Sequence, residues 1–271
     1  MTKPNDVTQN FLDSSQYQTQ SILQYEAIYG EDFVSPGGRA MAIEMIGRLQ
    51  LAPGSRVLDV GCGLGGSAFV MASEFGLRVD GIDLSKNMLE IANQKLRTRG
   101  LTDQVRFEWG DCLQLHRTDS YDAIYSRDVF LHIHDKTRLF SVLKSALRVG
   151  GQLLFTDYCC GPKPWSEDFT AYVANRGYSL HSPEEYGRLL AQAGFSQVVA
   201  EDVSAQFVEI LRSDLDRIGA LEVEQSVRDK LEHSWRQKLA RSSTGDHRWG
   251  LFTAVKQPRD SNSPNHTGET T

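Results

Sequence analysis

The chain has 271 residues, of which 40% are hydrophobic and 24% are charged, and its formal net charge is −6. This length suits one large α/β domain with or without a covering insertion, and the composition is that of an ordinary globular protein. The negative net charge disfavours a nucleic-acid partner, which binds through a basic face, but it leaves room for a small anionic substrate.

Strand-like and helix-like segments alternate through the middle of the chain. The predicted strands lie at 56–61, 77–85, 104–111, 121–128, 152–159, 196–204 and 248–256. The predicted helices lie at 68–75, 86–100, 137–151 and 182–195. The last helix has Ser182 as its N-cap, Pro183 in its first turn and Gly194 at its C-terminal end. This alternation predicts an α/β fold with a Rossmann-like, doubly wound, mostly parallel seven-stranded sheet, whose ligands bind at the carboxyl ends of the strands.

Three regions lie outside this alternation. Residues 1–50 precede the first strand, and residues 205–247 form a charged helical pattern inserted between the last two strands. Both regions could cover the mouth of the sheet. The end of the chain, 257–271, is rich in Ser, Thr, Asn and Pro and is predicted to be a disordered tail.

The cysteines and the polar N-terminus indicate whether the chain binds a metal and in which cellular compartment it works. Cys62, Cys112, Cys159 and Cys160 form no C-x-x-C pair, and no paired histidines accompany them, so we expect no metal site. Cysteines at this frequency are typical of a reducing compartment. Because no signal-peptide core and no apolar run of about 18 residues occurs, we predict a cytoplasmic protein without membrane insertion.

A glycine cluster follows the first predicted strand in VLDVGCGLGG. Gly61, Gly63 and Gly66 fit the G-x-G-x-x-G pattern, in which the missing Cβ atoms let the backbone approach a ligand. The motif is weak evidence alone, because a tight strand-to-helix turn uses the same glycines.

Acidic residues end three successive predicted strands. Asp83 is placed to accept hydrogen bonds from ribose hydroxyls, and Asp111 can accept one from the exocyclic amine of adenine. Asp59 stands just before the glycines, where it would repel a pyrophosphate but attract the sulfonium and ammonium of S-adenosylmethionine. Each acid alone could be a helix cap or a loop residue. Together they favour S-adenosylmethionine over NAD as the cofactor.

The segment YSRDVFLHIHDK crowds Arg127, Asp128, His132 and His134 just past the fourth strand. His132 could serve as a general base, because an imidazole with a pKa of about 6.5 accepts a proton near neutral pH. It could equally be a partly buried histidine that bonds only to the backbone, and the segment itself does not decide between the two.

Side chains suited to an anion occur farther along the chain. Tyr158 follows Asp157 at the end of the fifth strand, Arg176 and Tyr178 come after it, and Lys238 lies in the insertion; of these, the arginine and the lysine are the anion-binding types. Arginine grips an anion through two donors, and lysine acts as a point charge. Each of these residues alone could also be an ordinary surface residue.

Several motifs and the N-terminal segment occur in an order typical of one enzyme family. The motifs are VLDVGCGLGG, GIDLS, WGDC, YSRDVFLHI, TDYCCGPKPW, RGYSL and RWGLFTAVK, and they are preceded by FLDSSQYQTQSILQYEAIYGEDFVSPGG at 11–38. From about residue 11 to 256 the chain thereby resembles the phosphoethanolamine N-methyltransferases, whose active-site lid the N-terminal segment resembles. Many methyltransferases share the glycine motif, whereas the lid and the SRD…LHI segment are more specific. Pro36 in VSPGG departs from the family's pattern and stiffens that loop.

The resemblance implies the residues of the site. It assigns Tyr17 and His132 as a catalytic pair. With the glycine motif, the cofactor-binding residues are Val34, Ser35, Asp59, Gly61, Gly63, Asp83, Leu84, Asp111, Cys112 and Arg127. The implied substrate-binding residues are Gln16, Tyr25, Asp128, Tyr158, Arg176, Tyr178 and Lys238. Residues 1–50 would form a helical lid and 51–256 the methyltransferase domain, with a helical cap inserted at about 205–247.

The resemblance also implies the reaction. It is the stepwise N-methylation of phosphoethanolamine to phosphocholine, with S-adenosylmethionine as methyl donor and S-adenosylhomocysteine as product. The substrate ammonium has a pKa of about 10.4, so it arrives protonated and His132 would remove the proton. Tyr17 would lock the lid over the site and exclude water. Asp128 and aromatic faces would stabilise the growing cation, while tyrosines with Arg176 and Lys238 would hold the phosphate.

Three other functions remain open from the sequence. The first is methylation of another small amine, such as glycine, sarcosine or dimethylglycine, which needs no phosphate clamp. The second is a silent S-adenosylmethionine-binding regulator, although retention of both Tyr17 and His132 argues against it. The third is an NAD-linked oxidoreductase, which Asp59 disfavours. We expect a monomer whose partner is a small phosphorylated amine and not a nucleic acid; the sequence does not set which of the three methylation steps it performs.

Overall fold

The computed structural model of the chain describes residues 19–258. Gln16 and Tyr17, two of the predicted site residues, and nearly all of the predicted tail at 257–271 lie outside the described residues. Between residues 19 and 258, no helix has the length and apolar character that a membrane span requires.

The described chain folds around one seven-stranded sheet. Its strands are β1 Arg56–Val60, β2 Arg78–Asp83, β3 Val105–Trp109, β4 Tyr121–Arg127, β5 Leu147–Cys160, β6 Ser196–Asp202 and β7 His247–Val255. They lie in the order β3-β2-β1-β4-β5-β7-β6. The first five strands pair in parallel, whereas β7 runs antiparallel to both β5 and β6. The predicted mostly parallel, seven-stranded sheet is therefore confirmed.

Helices cover both faces of the sheet. Those of the described range are α1 Thr19–Tyr29, α2 Gly38–Arg48, α3 Gly66–Phe75, α4 Lys86–Arg99, α5 Lys136–Ala146, α6 Glu167–Arg176, α7 Pro183–Gln192, α8 Ser204–Gly219 and α9 Gln225–Ser243. Val57 and Leu58 of β1 enter two different buried clusters, because successive side chains of a strand point to opposite faces. The first cluster contains residues of α2, α3, α8 and α9, and the second contains residues of α5 and α7. The sheet is doubly wound, as predicted.

The start of α7 illustrates how local sequence sets an element. The Ser182 hydroxyl accepts a hydrogen bond from the Glu185 N–H at 3.2 Å, and the Glu185 carboxylate accepts one from the Ser182 N–H at 3.0 Å. This capping box satisfies two backbone donors that have no partner within the helix. Pro183 occupies the first turn, where its missing N–H costs nothing. The predicted N-cap is confirmed.

The prediction of one helix over 137–151 is wrong at its C-terminal end. Leu147 begins β5 directly after α5 and pairs with β4. The N–H of Gly150 donates to the Lys256 carbonyl at 2.7 Å, and the N–H of Lys256 donates to the Gly151 carbonyl at 2.9 Å. Gly150 has a φ of 80°, a backbone conformation that no α-helix contains. Strand partners distant in sequence therefore decide the conformation of this segment.

Helices occur in the described part of residues 1–50 and in the segment 205–247. The segment predicted as an insertion at 205–247 contains α8 and α9, which pack against each other between β6 and β7. At the N-terminal side, α1 packs against α8 and α4. Between β5 and α7 lies α6, which the sequence analysis did not predict as a separate helix. In this arrangement α1, α6 and α9 lie at one edge of the sheet.

Candidate active site

A cavity of about 320 Å³ lies at the carboxyl ends of β1, β2 and β4, and side chains of α1, α6 and α9 complete its wall. Ligands of doubly wound sheets bind at this edge. Every predicted site residue of the described range lines the cavity: Tyr25, Val34, Ser35, Asp59, Gly61, Gly63, Asp83, Leu84, Asp111, Cys112, Arg127, Asp128, His132, Tyr158, Arg176, Tyr178 and Lys238. The fold thus brings together residues that are dispersed along the sequence.

The glycine turn after β1 is held from two sides. Gly61 has a φ of 70°, and its N–H donates to the Ile82 carbonyl at 2.8 Å. A Cβ atom at Gly61 would lie 2.2 Å from Cγ2 of Val129, so no larger residue fits there. Asp83 accepts a hydrogen bond from the Gly63 N–H at 2.8 Å through its Oδ2. The carboxylate predicted for ribose binding therefore also fixes the turn before any ligand arrives.

Asp59 places a buried carboxyl group at the end of β1. Its side chain is almost fully buried, and within residues 19–258 its Oδ2 has no hydrogen-bond partner. Burial and, second, the charge of Asp83 raise the pKa of Asp59 to about 7, while Arg127 opposes the shift. A cationic ligand group would stabilise the charged form of the Asp59 carboxyl, whereas the negative charge of a pyrophosphate would repel it. Asp59 therefore fits the sulfonium and ammonium groups of S-adenosylmethionine.

The wall beyond Asp83 combines one acid with apolar surface. Asp111 accepts a backbone N–H at 2.9 Å at the start of the 3₁₀ turn Cys112–Gln114. Burial raises the pKa of the Cys112 thiol to about 12, so the thiol stays protonated and acts as an apolar group. The Leu84 carbonyl accepts a hydrogen bond from the Trp109 indole at 3.1 Å. This composition suits a flat heterocycle with one polar edge.

Arg127 ties the end of β4 to the loop before α2. Its Nη1 donates to the Gly38 carbonyl at 2.9 Å, and its Nη2 donates to the Pro36 carbonyl. The same loop carries Val34 and Ser35, two predicted cofactor residues. Arg127 lines the cavity as predicted, but two of its donors are used on loop carbonyls. Its contacts hold the N-terminal region against the sheet.

His132 ends a 3₁₀ turn, Phe130–His132, just past β4. Its ring lies 5.2 Å from the ring of Tyr178, edge to face. Burial and, second, the positive charge of Lys136, then of Arg176, lower the pKa of His132 to about 4. The imidazole is therefore neutral at pH 7 and keeps a lone pair that can accept a proton. Its Nδ1 is buried and has no hydrogen-bond partner in the described part of the chain.

Asp128 holds an unusual backbone conformation beside the cavity. Its φ is 55°, in the left-handed region that non-glycine residues rarely adopt. The Trp249 indole Nε1 donates to its Oδ1 at 2.7 Å, and its Oδ2 has no partner among residues 19–258. Burial raises the pKa of Asp128, against the charge of Arg127 and the Trp249 hydrogen bond. Strained residues of this kind cluster at functional sites.

Cations and aromatic rings crowd the other end of the cavity. The Lys238 ammonium lies 3.4 Å from the Tyr158 hydroxyl and 4.6 Å from the centre of the Trp235 ring. Burial lowers the pKa of Lys238 to about 8; Asp214 opposes the shift, whereas the nearby arginines add to it. Positive groups that crowd one another in a half-buried site favour an anionic ligand.

Two residues of this cationic end were missed by the sequence analysis. Arg241 is buried, and its guanidinium lies 4.1 Å from the centre of the Tyr172 ring. Both residues line the cavity. Tyr172 precedes Arg176 by four positions, and Arg241 follows Lys238 by three, so each pair shares one helical face. That spacing was the signal that could have found them.

A metal centre is not among the features of the described range. No group of three or more His, Cys, Asp or Glu side chains between residues 19 and 258 is arranged to hold a metal ion. The carboxylates of the cavity instead accept hydrogen bonds from backbone and indole N–H groups.

Known proteins with similar sequences point to one enzyme family. A family model described as a methyltransferase domain matches residues 51–194. Phosphoethanolamine N-methyltransferase 1 of Arabidopsis thaliana is 44% identical over 92% of this chain and 52% of its own length. The phosphoethanolamine N-methyltransferase of Plasmodium falciparum is 32% identical over 91% of this chain and 95% of its own length. The chain thus spans about half the length of the plant relative.

A solved structure supports the same relationship. Phosphoethanolamine N-methyltransferase 2 of Haemonchus contortus, in complex with phosphomonomethylethanolamine and S-adenosylhomocysteine, superimposes with a TM-score of 0.89 at 35% identity. The match covers 93% of this chain and 61% of the Haemonchus chain. The resemblance seen in the motifs is therefore confirmed over the methyltransferase domain. The chain belongs to the phosphoethanolamine N-methyltransferase family.

Proposed function

We propose that the chain is an S-adenosylmethionine-dependent N-methyltransferase that acts on phosphoethanolamine, on its mono- and dimethyl forms, or on all three, toward phosphocholine. The observation that carries the proposal is one cavity with an acidic end at Asp59, a cationic end at Lys238 and a neutral imidazole, His132. The names of the relatives support the same substrate class. The proposed partner is this small phosphorylated amine, and the protein acts as a monomer without nucleic acid.

The residues around the glycine turn fit the cofactor. Asp59 would face its cationic groups, Asp83 would accept from the ribose, and Asp111 would accept from the adenine amine. Gly61 and Gly63 both have positive φ values, which glycine adopts without strain, and they form the turn that would face the cofactor. When bound, S-adenosylmethionine supplies a methyl group activated by the positive sulfur.

The amine end of the substrate requires a proton acceptor and an anion. His132 accepts the ammonium proton on its unprotonated ring nitrogen, which leaves a neutral amine as nucleophile. His132 is neutral at pH 7 and its lone pair is available, but its lowered pKa makes it a weaker base than an ordinary imidazole. Asp128 holds the nitrogen as methylation converts it to a permanent cation, and its position is fixed by Trp249.

The phosphate end is held by the cationic cluster. Lys238, Arg176 and Arg241 supply positive charge, and Tyr158 and Tyr178 supply hydroxyl donors. A phosphate at this position lowers the repulsion among the three cations. Gripping both ends of the substrate aligns the nitrogen, and alignment contributes up to about 7–11 kcal/mol in well-oriented systems.

The N-terminal segment completes the proposal. Tyr17 forms the catalytic pair with His132 and closes the site over the substrate, and Gln16 joins the phosphate contacts. Both residues lie outside the described range, and the proposal for them rests on the family resemblance of residues 11–38. Closure of this segment would exclude water from the transfer step.

The test is a methyl-transfer assay with labelled S-adenosylmethionine. Phosphoethanolamine and its monomethyl and dimethyl forms are supplied separately, and unphosphorylated ethanolamine is the control. We expect transfer to at least one phosphorylated amine and little to ethanolamine. Bound cofactor without transfer to any of the three would refute the proposal, and transfer to glycine, sarcosine or dimethylglycine instead would assign the other substrate class.

A further inference from the structure

Lys136 is a buried lysine at the start of α5, beside the turn that carries His132. Its side chain is almost fully buried. Its Nζ donates to the Phe130 carbonyl at 2.8 Å, to the Ser179 carbonyl at 3.0 Å and to the Ile133 carbonyl. An ammonium has three donors, and here all three are used on backbone carbonyls.

These carbonyls belong to two separate segments of the site. Phe130 and Ile133 bracket the turn that ends in His132, whereas Ser179 directly follows Tyr178. The N–H of Ser179 also donates to the Leu131 carbonyl at 2.8 Å. Lys136 therefore connects the turn of the proposed base to the segment of a proposed phosphate ligand.

The position of Lys136 is not explained by the stability of α5. A cation in the first turn of a helix faces the positive end of the helix dipole, which is unfavourable. Burial of an ammonium is also costly, because the charge leaves water. The neighbouring groups that offset this cost are Asp157, whose charge favours the ammonium, and the Tyr186 ring, whose centre lies 5.6 Å from Nζ.

We propose, on the basis of the function proposed above, that Lys136 is a positioning residue that fixes the separation of His132 and Tyr178. The two rings lie 5.2 Å apart, one near the amine end and one near the phosphate end of the substrate. Lys136 is not one of the described residues that line the cavity, so we expect it to touch neither substrate nor cofactor. It acts by donating hydrogen bonds to backbone carbonyls of both segments, which holds the two segments together.

The test compares three variants of the full chain. Lys136→Met keeps an unbranched side chain but removes the charge and all three donors. Lys136→Arg keeps the charge, but a planar guanidinium cannot reach the same three carbonyls. Lys144→Met is the matched control, because Lys144 lies on the same helix and donates to the Ala193 carbonyl at 3.1 Å, outside the site.

We expect kcat with the best phosphorylated amine to fall about 10- to 100-fold in Lys136→Met and less in Lys136→Arg, as misplacement of reacting groups predicts. The KM for the phosphorylated amine rises in both variants, while the affinity for S-adenosylmethionine stays unchanged. Lys144→Met keeps the parent kcat. Parent values of kcat and KM in a folded Lys136→Met protein would overturn the inference. If that variant does not fold, parent values in Lys136→Arg would do the same.

A second readout does not depend on turnover. The charges that face His132 are those of Lys136 and Arg176. Loss of the Lys136 charge therefore raises the pKa of His132, which NMR titration of labelled histidines measures, whereas Lys136→Arg leaves it near the parent value. If the parent chain methylates nothing, the proposed function fails. The nuclear Overhauser effect between the His132 and Tyr178 rings reports their separation directly, and a parent-like effect in Lys136→Met then refutes the positioning role on its own.

Discussion

The Trp249 indole donates a hydrogen bond of 2.7 Å to the Asp128 carboxylate, which joins β7 to the residue that follows β4. Trp249 is fully buried, and Asp128 has a left-handed backbone. One edge of the cavity is therefore positioned by β7, which lies two places away from β4 in the sheet.

Replacing Trp249 by Phe removes this donor and keeps most of the buried ring. The hydrogen bond lowers the pKa of Asp128, so its loss moves that pKa further up and weakens the negative charge near the amine. We expect a stability loss of about 1–3 kcal/mol from the unsatisfied carboxylate and a higher KM for the dimethyl substrate. Thermal unfolding and steady-state kinetics measure the two effects. An unchanged KM would mean that the bond serves the fold alone.

Replacing His132 by Gln tests the proton acceptor. Glutamine has a similar size but cannot accept the proton, so we expect kcat to fall about 10²- to 10⁴-fold. Cofactor affinity, measured by calorimetry, should stay at the parent value. In the parent chain we expect protonation of His132 to lower kcat only near pH 4. This is well below the ordinary value for an imidazole, because burial lowers the pKa of His132. A parent-like kcat in His132→Gln would exclude the base role.

Replacing Asp59 by Asn separates binding from stability. The pKa of Asp59 is raised from 3.8 to about 7, so the folded state loses stability as pH rises between these values. The amide of the Asp59→Asn variant carries no charge and avoids this loss, so the melting temperature should exceed that of the parent at pH 8 and approach it at pH 4. Cofactor affinity should fall about 10- to 100-fold, because a charged contact is lost. Equal affinity would contradict the assignment of Asp59.

Replacing Arg241 by Gln tests the cation that the sequence analysis missed. Arg241 is buried against Tyr172, and its Nη1 lies 3.1 Å from Asp168 Oδ2. We expect the KM for phosphoethanolamine to rise about 10-fold, as loss of a charged contact predicts, with unchanged cofactor affinity. Arg236→Gln is the control, because Arg236 lies on the same helix, is exposed and pairs with Glu232 at 3.2 Å. A similar KM in both variants would remove Arg241 from the phosphate site.

Residues at strand ends could be predicted from sequence because local order determines them. Asp59 is the penultimate residue of β1, Asp83 ends β2 and Asp111 follows β3 by two residues, and parallel strands present these ends at one edge of the sheet. The three therefore line one cavity, as expected. The sheet was predictable for the same reason, since alternation of strand and helix needs no knowledge of distant contacts.

Residues that depend on tertiary contacts could not be predicted in this way. In the sequence Leu147 continues the helical pattern of α5, but in the structure it pairs with β4 and begins β5. Lys136 looks like an exposed lysine at a helix start, and only the fold shows the Ser179 carbonyl, far along the chain, beside its ammonium. The helical spacing of Arg241 from Lys238 could have placed the two on one face of α9, but only the fold shows that this face lines the cavity.

The insertion between β6 and β7 has a consequence for how specificity can change. Most groups proposed for the cofactor lie on the glycine turn and its neighbouring strands, inside the range 51–194 that matches a general methyltransferase model, and Val34 and Ser35 precede that range. Lys238 and Arg241 lie on α9, beyond that range. Arg176 and Tyr178 lie inside it, so the proposed phosphate contacts are divided between the general methyltransferase range and the insertion. Exchange of α9 would therefore change part of the proposed acceptor site and leave the groups proposed for the methyl donor in place.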